Sequence, residues 1–318
     1  MPCGETIIVM YHYVRPVDRQ NWGGIFPLGP SEFERQLDYL SSVGRIIRPS
    51  ELGRVPPEER HQIVLTFDDG TRDHYETVFP ILRARGLSGL FGVISGPSTG
   101  QRMPNVHLIH WLLSRHTDAD IWAYLCKAFG EPCLGDPGRA VQLYHRDEPL
   151  RGRIKFALNF ALTTEQAGEF LEALAAARGE APSSLARQWY VSSTEIREML
   201  AGGMELAVHA DRHLAFSGDP AAFYDCEIKP CEQWLTELAG RRPEYYIAAF
   251  GGSNAGGHPV NGLAGLLAAR GYRYGFLTER GIESQPPGRF FLRRIDCADL
   301  PPRGLAGVSA GLGVVGYS

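Results

Sequence analysis

Short apolar runs recur along the chain, and several of them stop abruptly at polar residues. The clearest run covers residues 63–67 (IVLTF) and ends at Asp68, Asp69 and Gly70. A run of strand-forming residues that is apolar throughout is typical of a strand buried on both faces of a sheet. Gly70 allows the sharp backbone turn that must follow. The pattern therefore predicts a core strand with two carboxylates at its carboxyl end.

Similar runs predict further strands, with helical patterns between most of them. The predicted strands cover residues 5–10, 45–48, 63–67, 89–94, 204–208, 245–249, 272–277 and 291–295. Strands that alternate with helices in this way are typical of a (β/α) barrel. We therefore predict an α/β fold, a distorted (β/α) barrel of about seven or eight strands.

The alternation stops between about residues 97 and 200, where helical patterns occur without a convincing strand. We expect a helical insertion in a single barrel domain that spans residues 1–318, and this insertion would form a cap over the site. It contains His107, His110 and Trp111. Packing on a helix face is the simplest interpretation of these three side chains, and His110 is the candidate for a substrate contact.

Composition and charge exclude several classes of function. The net charge is −4 and there is no basic run, so we expect no nucleic-acid partner. No apolar stretch is long enough for a transmembrane segment. Residues 1–5 lack the features of a signal peptide, and the six cysteines form no Cys-x-x-Cys pair. We expect a cytoplasmic protein with free thiols, and the oligomeric state stays open.

Two histidines have the spacing of metal ligands. His209 and His213 follow the predicted strand at residues 204–208, and a separation of four places them on one face of a helical turn. With Asp69 they would form a set of two histidines and one carboxylate, which is typical of catalytic metal sites with open positions. Alone, the aspartates could be a hydrated turn and the histidines a surface pair.

Other candidates also follow predicted strands directly: His12, the pair Phe250 and Gly251, and Arg294 with Asp296. In a (β/α) barrel the carboxyl ends of the strands meet at one face, where active sites are built. Residues with only a packing role would not be expected to concentrate there. We therefore expect one active site that draws on all these segments.

Five segments resemble one protein family. Residues 66–70 (TFDDG) and 209–213 (HADRH) are similar to the first two signature motifs of the polysaccharide deacetylases, carbohydrate esterase family 4. Residues 10–16 (MYHYVRP), 31–40 (SEFERQLDYL) and 294–301 (RIDCADLP) resemble a cytoplasmic bacterial branch of that family with permuted motifs. The resemblance spans nearly the whole chain and is weakest between residues 97 and 200.

The resemblance implies a role for each residue of the first two motifs. Asp68 is expected to act as the general base. Asp69, His209 and His213 are expected to bind one divalent metal ion, for which we expect Zn²⁺, although Co²⁺, Ni²⁺, Fe²⁺ and Mn²⁺ can use such ligands. The ion would polarise an amide carbonyl and lower the pKa of a bound water.

The third family motif is present in altered form. Phe250 matches its aromatic residue, whose N–H contributes to an oxyanion site, and with Gly251 it is expected to contact the substrate. Ala249 stands where the family usually has proline, and Ala210 where many members have serine or threonine.

The family's general acid is expected from elsewhere in the chain, because no downstream Leu-x-His segment is present. His12 is our candidate, since a histidine at a strand end on the active face can titrate near neutral pH. Arg294 is expected to orient Asp68 and keep it ionised, with Asp296 nearby.

These expectations favour a metal-dependent hydrolase that removes an N-acetyl group from an amino sugar. The substrate would be a nucleotide-linked, lipid-linked or free sugar intermediate in surface polysaccharide or natural-product biosynthesis. An N-deformylase and a cyclic amidase are the alternatives on the same fold. A catalytically inactive carbohydrate-binding homologue is the alternative from another class, and the presence of Asp68 beside a complete ligand set argues against it.

Overall fold

The fold is a parallel barrel surrounded by helices. The computed structural model describes residues 4–16, 27–57, 59–145, 147–216, 218–250 and 260–303. Within these ranges the strands are β1 (Thr6–Tyr11), β2 (Gly44–Ile46), β3 (His61–Phe67), β4 (Leu90–Ile94), β5 (Glu205–Ala210), β6 (Tyr245–Ile247), β7 (Tyr274–Arg280) and β8 (Phe291–Asp296). Every pairing between these strands is parallel.

The barrel closes through β1, which pairs with both β8 and β3. On the edge of β3 that faces away from β1, two strands pair one after the other along its length. Strand β2 pairs with residues 61–63 and β4 pairs with residues 66 and 67. Seven strands therefore form the closed barrel and β2 is an extra strand beside it. The predicted distorted (β/α) barrel is confirmed.

Helices cover the outside of the barrel. In chain order they are α1 (Pro30–Val43), α2 (Phe79–Ala84), α3 (Ser95–Ser98), α4 (Asn105–Leu113), α5 (Asp118–Phe129), α6 (Pro137–Leu143), α7 (Pro149–Phe156), α8 (Thr164–Ala176), α9 (Pro182–Trp189), α10 (Ser193–Ala201), α11 (Pro220–Phe223), α12 (Lys229–Ala239) and α13 (Ala264–Ala269). Helices α3–α10 lie between β4 and β5, which confirms the helical insertion. No helix within the described residues has both the length and the apolar character needed to cross a membrane.

The start of α1 differs from the sequence pattern. Residues Ser31 and Glu34 predict a capping box, but the helix begins at Pro30 and Glu32 accepts a hydrogen bond from the Gly29 N–H at 2.8 Å. Proline suits the first helical position because its φ is already helical and it has no N–H that needs a partner. The predicted cap is therefore wrong by two residues.

Side-chain alternation along the strands explains how the barrel carries polar groups inside. Val64 in β3 and Leu292 in β8 lie in the buried apolar cluster that fills the barrel. Successive side chains of a strand point to opposite faces, so Thr66 and Arg294, two residues further along, also point inward. The barrel interior is thus apolar at one end and polar at the carboxyl end of its strands.

The insertion has a hydrophobic core of its own, with Leu108, Leu112, Ile121 and Leu125 among its buried residues. It also attaches to the barrel close to the aspartates. Residues 71 and 190 form an isolated antiparallel bridge, and the N–H of residue 191 donates to the carbonyl oxygen of residue 70 at 3.1 Å. The end of the insertion is therefore bonded to the turn that follows β3.

Candidate active site

Asp68 is held by an arginine from the opposite end of the chain. Arg294 donates from Nη1 to Asp68 Oδ1 at 2.6 Å and from Nη2 to Asp68 Oδ2 at 2.7 Å. The guanidinium is completely buried and also donates to Leu277 O at 2.7 Å and to Thr66 Oγ1 at 3.0 Å. The expected pairing of Arg294 with Asp68 is therefore observed, and it uses both carboxylate oxygens.

Asp69 faces the two predicted histidines instead. Its Oδ1 lies 3.2 Å from Nε2 of His209 and 3.5 Å from Nε2 of His213. His209 lies within β5, and its Nδ1 donates to Ile247 O at 2.8 Å, so Nε2 is directed at the carboxylate. The predicted helical turn between the histidines is wrong: β5 continues to Ala210, and His213 lies in an irregular segment.

Backbone strain is concentrated at this site. Asp69, His213 and Phe250 have φ angles of 82°, 62° and 54°, and they are the non-glycine residues with positive φ in the described part of the chain. Aspartate and histidine tolerate this left-handed region better than most residues, whereas phenylalanine does so rarely. Such conformations persist where the surrounding structure enforces them, and they are common in active sites.

The residues present fit a divalent metal ion. One ligand atom from each of Asp69, His209 and His213 lies within 4.8 Å of the others, the one such group among the described residues. Imidazole nitrogens and one carboxylate suit zinc and related transition metals. The Nε2 atoms of His209 and His213 both face Oδ1 of Asp69, and a cation between these three atoms would be bound by all of them.

Electrostatics keeps both aspartates ionised. Burial alone would raise the pKa of Asp68, but the charge and hydrogen bonds of Arg294 outweigh it and hold the pKa below its usual value. Burial opposes ionisation of Asp69 as well, yet contacts with His107 and His209 keep the pKa of that carboxyl well below its usual value. Burial, with the neighbouring His209, lowers the pKa of His213 to about 3, so this ring is neutral and can act as a ligand.

His107 is part of the site, although only packing on a helix face was expected for it. Its Nε2 lies 3.2 Å from Asp69 Oδ2, and its Nδ1 is hydrogen-bonded to the hydroxyl of Tyr190. The expected substrate contact, His110, lies one turn further along α4, where Tyr13 is its partner at 3.0 Å. Burial, together with the charges of His107 and Lys155, keeps the pKa of His110 well below its usual value.

His12 lies beside Asp68. Its Nε2 is 3.9 Å from Asp68 Oδ2, and 44 % of its side chain is exposed, so it faces the cavity from the solvent side. Asp296 lies at the end of β8, where its Oδ1 accepts from the Ala298 N–H at 2.8 Å. Asp296 is not among the described residues that line the cavity.

Phe250 borders the metal-ligand group. Its ring packs edge-on against the His213 ring, with centroids 4.8 Å apart, and against Phe160 of the insertion at 5.7 Å. Gly251, predicted to contact the substrate beside it, lies outside the described residues.

Both aspartates, the histidine pair, His12 and Phe250 border one cavity of about 350 Å³ at the carboxyl end of the barrel. The barrel contributes the aspartates and the histidine pair. The insertion contributes much of the wall: His107, His110, Asp147 and Lys155. Lys155 and Asp147 form an ion pair at 2.7 Å, and both are mostly buried. The predicted cap therefore takes the form of a side wall that carries polar groups.

Solved structures of deacetylases share this architecture. The chain is similar to the deacetylase PplD of Streptococcus pyogenes, solved in complex with acetate, with a TM-score of 0.57, 16 % identity and coverage of 93 % of both chains. It is similar to IcaB from Ammonifex degensii at a TM-score of 0.54 and 19 % identity, over 92 % of this chain and 91 % of that one.

A third similar structure is a de-N-acetylase from Aggregatibacter actinomycetemcomitans, with a TM-score of 0.52 and 14 % identity, over 96 % of this chain and 99 % of that one. The chain has the polysaccharide deacetylase fold. No protein-family model and no curated protein sequence matches it. The likeness to the deacetylases therefore lies in the fold, at 14–19 % sequence identity.

Proposed function

We propose that this protein is a metal-dependent hydrolase that removes the N-acetyl group from an amino sugar. The observation that carries the proposal is that two adjacent carboxylates have different partners. Asp68 is paired with Arg294, while Asp69 faces His209 and His213. An ionised base beside a metal-ligand group is the equipment that hydrolysis of an amide bond requires. Deacetylases among the similar structures support the same reaction class.

In this proposal Asp69, His209 and His213 hold the ion, and Zn²⁺ suits that ligand set. When bound, a divalent ion would polarise the amide carbonyl and lower the pKa of a water molecule. Asp68 accepts the proton of the attacking water, and Arg294 keeps its carboxylate in one orientation. The metal requirement and its identity are both part of the proposal.

Position supports the remaining roles in this proposal. His12 is the proposed acid that protonates the leaving amine, and its Nε2, 3.9 Å from Asp68 Oδ2 on the open side of the cavity, supports that role. The N–H of Phe250 would help to bind the oxyanion. The left-handed backbone of Phe250 supports this role, since strained backbone that aims an N–H is a recurring device of active sites.

The cavity supports a small substrate. Its volume of about 350 Å³ is near the lower end of the range for small-molecule sites. The wall built by the insertion carries Lys155, Asp147 and His110, which can hydrogen-bond sugar hydroxyls or a phosphate. We propose a nucleotide-linked, lipid-linked or free amino sugar as substrate, in preference to a long polymer.

The test is acetate release from N-acetylated amino sugars, in free and nucleotide-linked form, by the zinc-loaded protein. Acetate released by the wild type and not by D68N is the expected result. Formate released from a formamido sugar, or ring opening of a cyclic amide, would move the assignment to one of the alternative amide hydrolases. Binding of sugar with no product from any substrate would favour the carbohydrate-binding alternative.

A further inference from the structure

The carboxylate of Asp69 has different partners on its two oxygens. Oδ1 faces His209 and His213, whereas Oδ2 lies 3.2 Å from Nε2 of His107. His107 comes from α4 of the insertion, and only 2 % of its side chain is exposed. Among the described residues, His107 contacts Asp69 but does not belong to the group of ligand atoms within 4.8 Å of one another.

The contact with Asp69 determines which nitrogen of His107 donates to it. An ionised carboxylate has no proton to donate, so Nε2 of His107 must be the donor to Asp69. Nδ1, on the other side of the ring, is hydrogen-bonded to the hydroxyl of Tyr190. Tyr190 is itself buried and bridged to Thr71, two residues after Asp69. Tyr190, His107 and Asp69 thus form one buried hydrogen-bonded series that leads from the insertion to the carboxylate.

We propose that His107 is a positioning residue that holds Asp69 so that a single carboxylate oxygen is presented to the metal, and that the helical insertion therefore helps to build the metal site. This inference rests on the proposed metal function of Asp69, His209 and His213. It assigns Tyr190 the role of holding the His107 ring in place through Nδ1.

The physical reason is that the Asp69 carboxylate could otherwise rotate. Its backbone is left-handed, with φ of 82°, which sets where the side chain starts but not the orientation of its oxygens. A hydrogen bond on Oδ2 removes that freedom and occupies the oxygen that would otherwise compete for the ion. Loss of such an outer hydrogen bond typically weakens metal binding about 10- to 100-fold.

The test is zinc affinity of the purified full-length protein, measured by competition with a chromogenic chelator. H107F and H107N remove the donor to Oδ2, and we expect both to bind zinc about 10- to 100-fold more weakly than the wild type. H107Q keeps an N–H at about the position of Nε2 and should restore most of the affinity. Y190F should lie between the wild type and H107F.

H110F is the matched control, because His110 lies on the same helix and pairs with Tyr13 instead of Asp69. Its zinc affinity should equal that of the wild type. The visible spectrum of the cobalt-substituted protein gives a second readout, since release of Oδ2 changes the ligands of the ion. We expect altered spectra for H107F and H107N and an unaltered spectrum for H110F.

The outcomes separate this inference from the proposed function. Wild-type zinc affinity and an unchanged cobalt spectrum in H107F and H107N would overturn the role of His107 and leave the metal site standing. A wild-type protein that binds no zinc would overturn both. Thermal unfolding of each metal-free variant shows that it is folded, and if H107F fails to fold, H107N carries the same expectation.

Discussion

Arg294 donates hydrogen bonds to both carboxylate oxygens of Asp68, at 2.6 and 2.7 Å, although 226 positions separate the two residues in the chain. A bidentate pair of this kind fixes orientation as well as charge. Asp69, the next residue, has no share in this pair and faces histidines instead. Adjacent carboxylates thus have separate partners, and the substitutions below separate their roles.

We expect D68N to lower kcat by about 10²- to 10⁴-fold, the usual contribution of a general base, with zinc content unchanged. D69N should lose zinc and activity together. Acetate release and metal analysis of the same preparations measure both. D225N is the control, since Asp225 is exposed and pairs with Lys229 on a helix surface. Equal loss of zinc in D68N and D69N would contradict the separation of roles.

R294M should be strongly destabilised, because it leaves the buried Asp68 carboxylate without its partner. Loss of one member of a buried pair costs about 3–5 kcal/mol, whereas K229M, which breaks an exposed pair, should cost about 0.5 kcal/mol or less. Urea unfolding of both variants measures the difference. Any folded R294M should also need a higher pH for activity, because burial without the guanidinium raises the pKa of Asp68.

Metal binding should stabilise the folded protein. At a free zinc concentration about 100 times Kd, the free energy of unfolding should rise by about 2.7 kcal/mol, and excess chelator should reverse the gain. D69N should show no gain. E172Q is the control, because Glu172 is an exposed acid far from the ligand group in the chain. A gain that persists in D69N would place the bound zinc elsewhere.

The metal-free protein should lose stability in mild acid. His213 has a native pKa of about 3, below its ordinary value of 6.5. The His213 ring therefore binds a proton more readily in the unfolded chain than in the folded protein. The contribution of His213 to the free energy of unfolding is fully present above about pH 6.5 and decreases as the pH falls toward 3. Urea unfolding at about pH 7.5 and about pH 5 tests this. The loss should be smaller in H213L, and an equal loss in both proteins would contradict it.

Lys155 should affect substrate binding more than chemistry. It lines the cavity and pairs with Asp147, but it contacts neither aspartate of the motif. We expect K155M to raise KM with kcat and zinc content nearly unchanged, the pattern of a lost binding contact. R153M is the control on the same helix, because Arg153 pairs with the exposed Glu131 instead. A fall in kcat alone would argue against a binding role.

The strands and the residues that end them could be predicted because their signal is local. An apolar run followed by Asp68 and Asp69 identifies both the strand and the face of the barrel at which it ends. His209 was recognised for the same reason, as it follows an apolar run.

The geometry between His209 and His213 could not be predicted from their spacing. A separation of four indicates a helical turn, but the chain stays in β5 to Ala210 and then bends with His213 in a left-handed conformation. Both histidines contact Asp69, which follows β3, and the conformation between them depends on these long-range contacts. The spacing of two residues in the sequence gives no information about such contacts.

His107 was missed for a physical reason. Helix α4 (NVHLIHWLL) is apolar on nearly every side, so no polar face indicates which of its histidines points to the barrel. The rotation of α4 depends on how Leu108 and Leu112 pack into the core of the insertion. That packing brings His107 to Asp69 and leaves His110 to line the outer cavity.

Closure of the barrel through β1 and β8 has a consequence for the order of folding. As synthesis proceeds from the N-terminus, Asp68 emerges long before β8 supplies Arg294, its only guanidinium partner among the described residues. Strand β3 can therefore reach its final burial only after the last strand has docked, since an unpaired carboxylate is costly to bury. Long-range pairings of this kind slow folding. The ion pair thus couples completion of the chain to completion of the site.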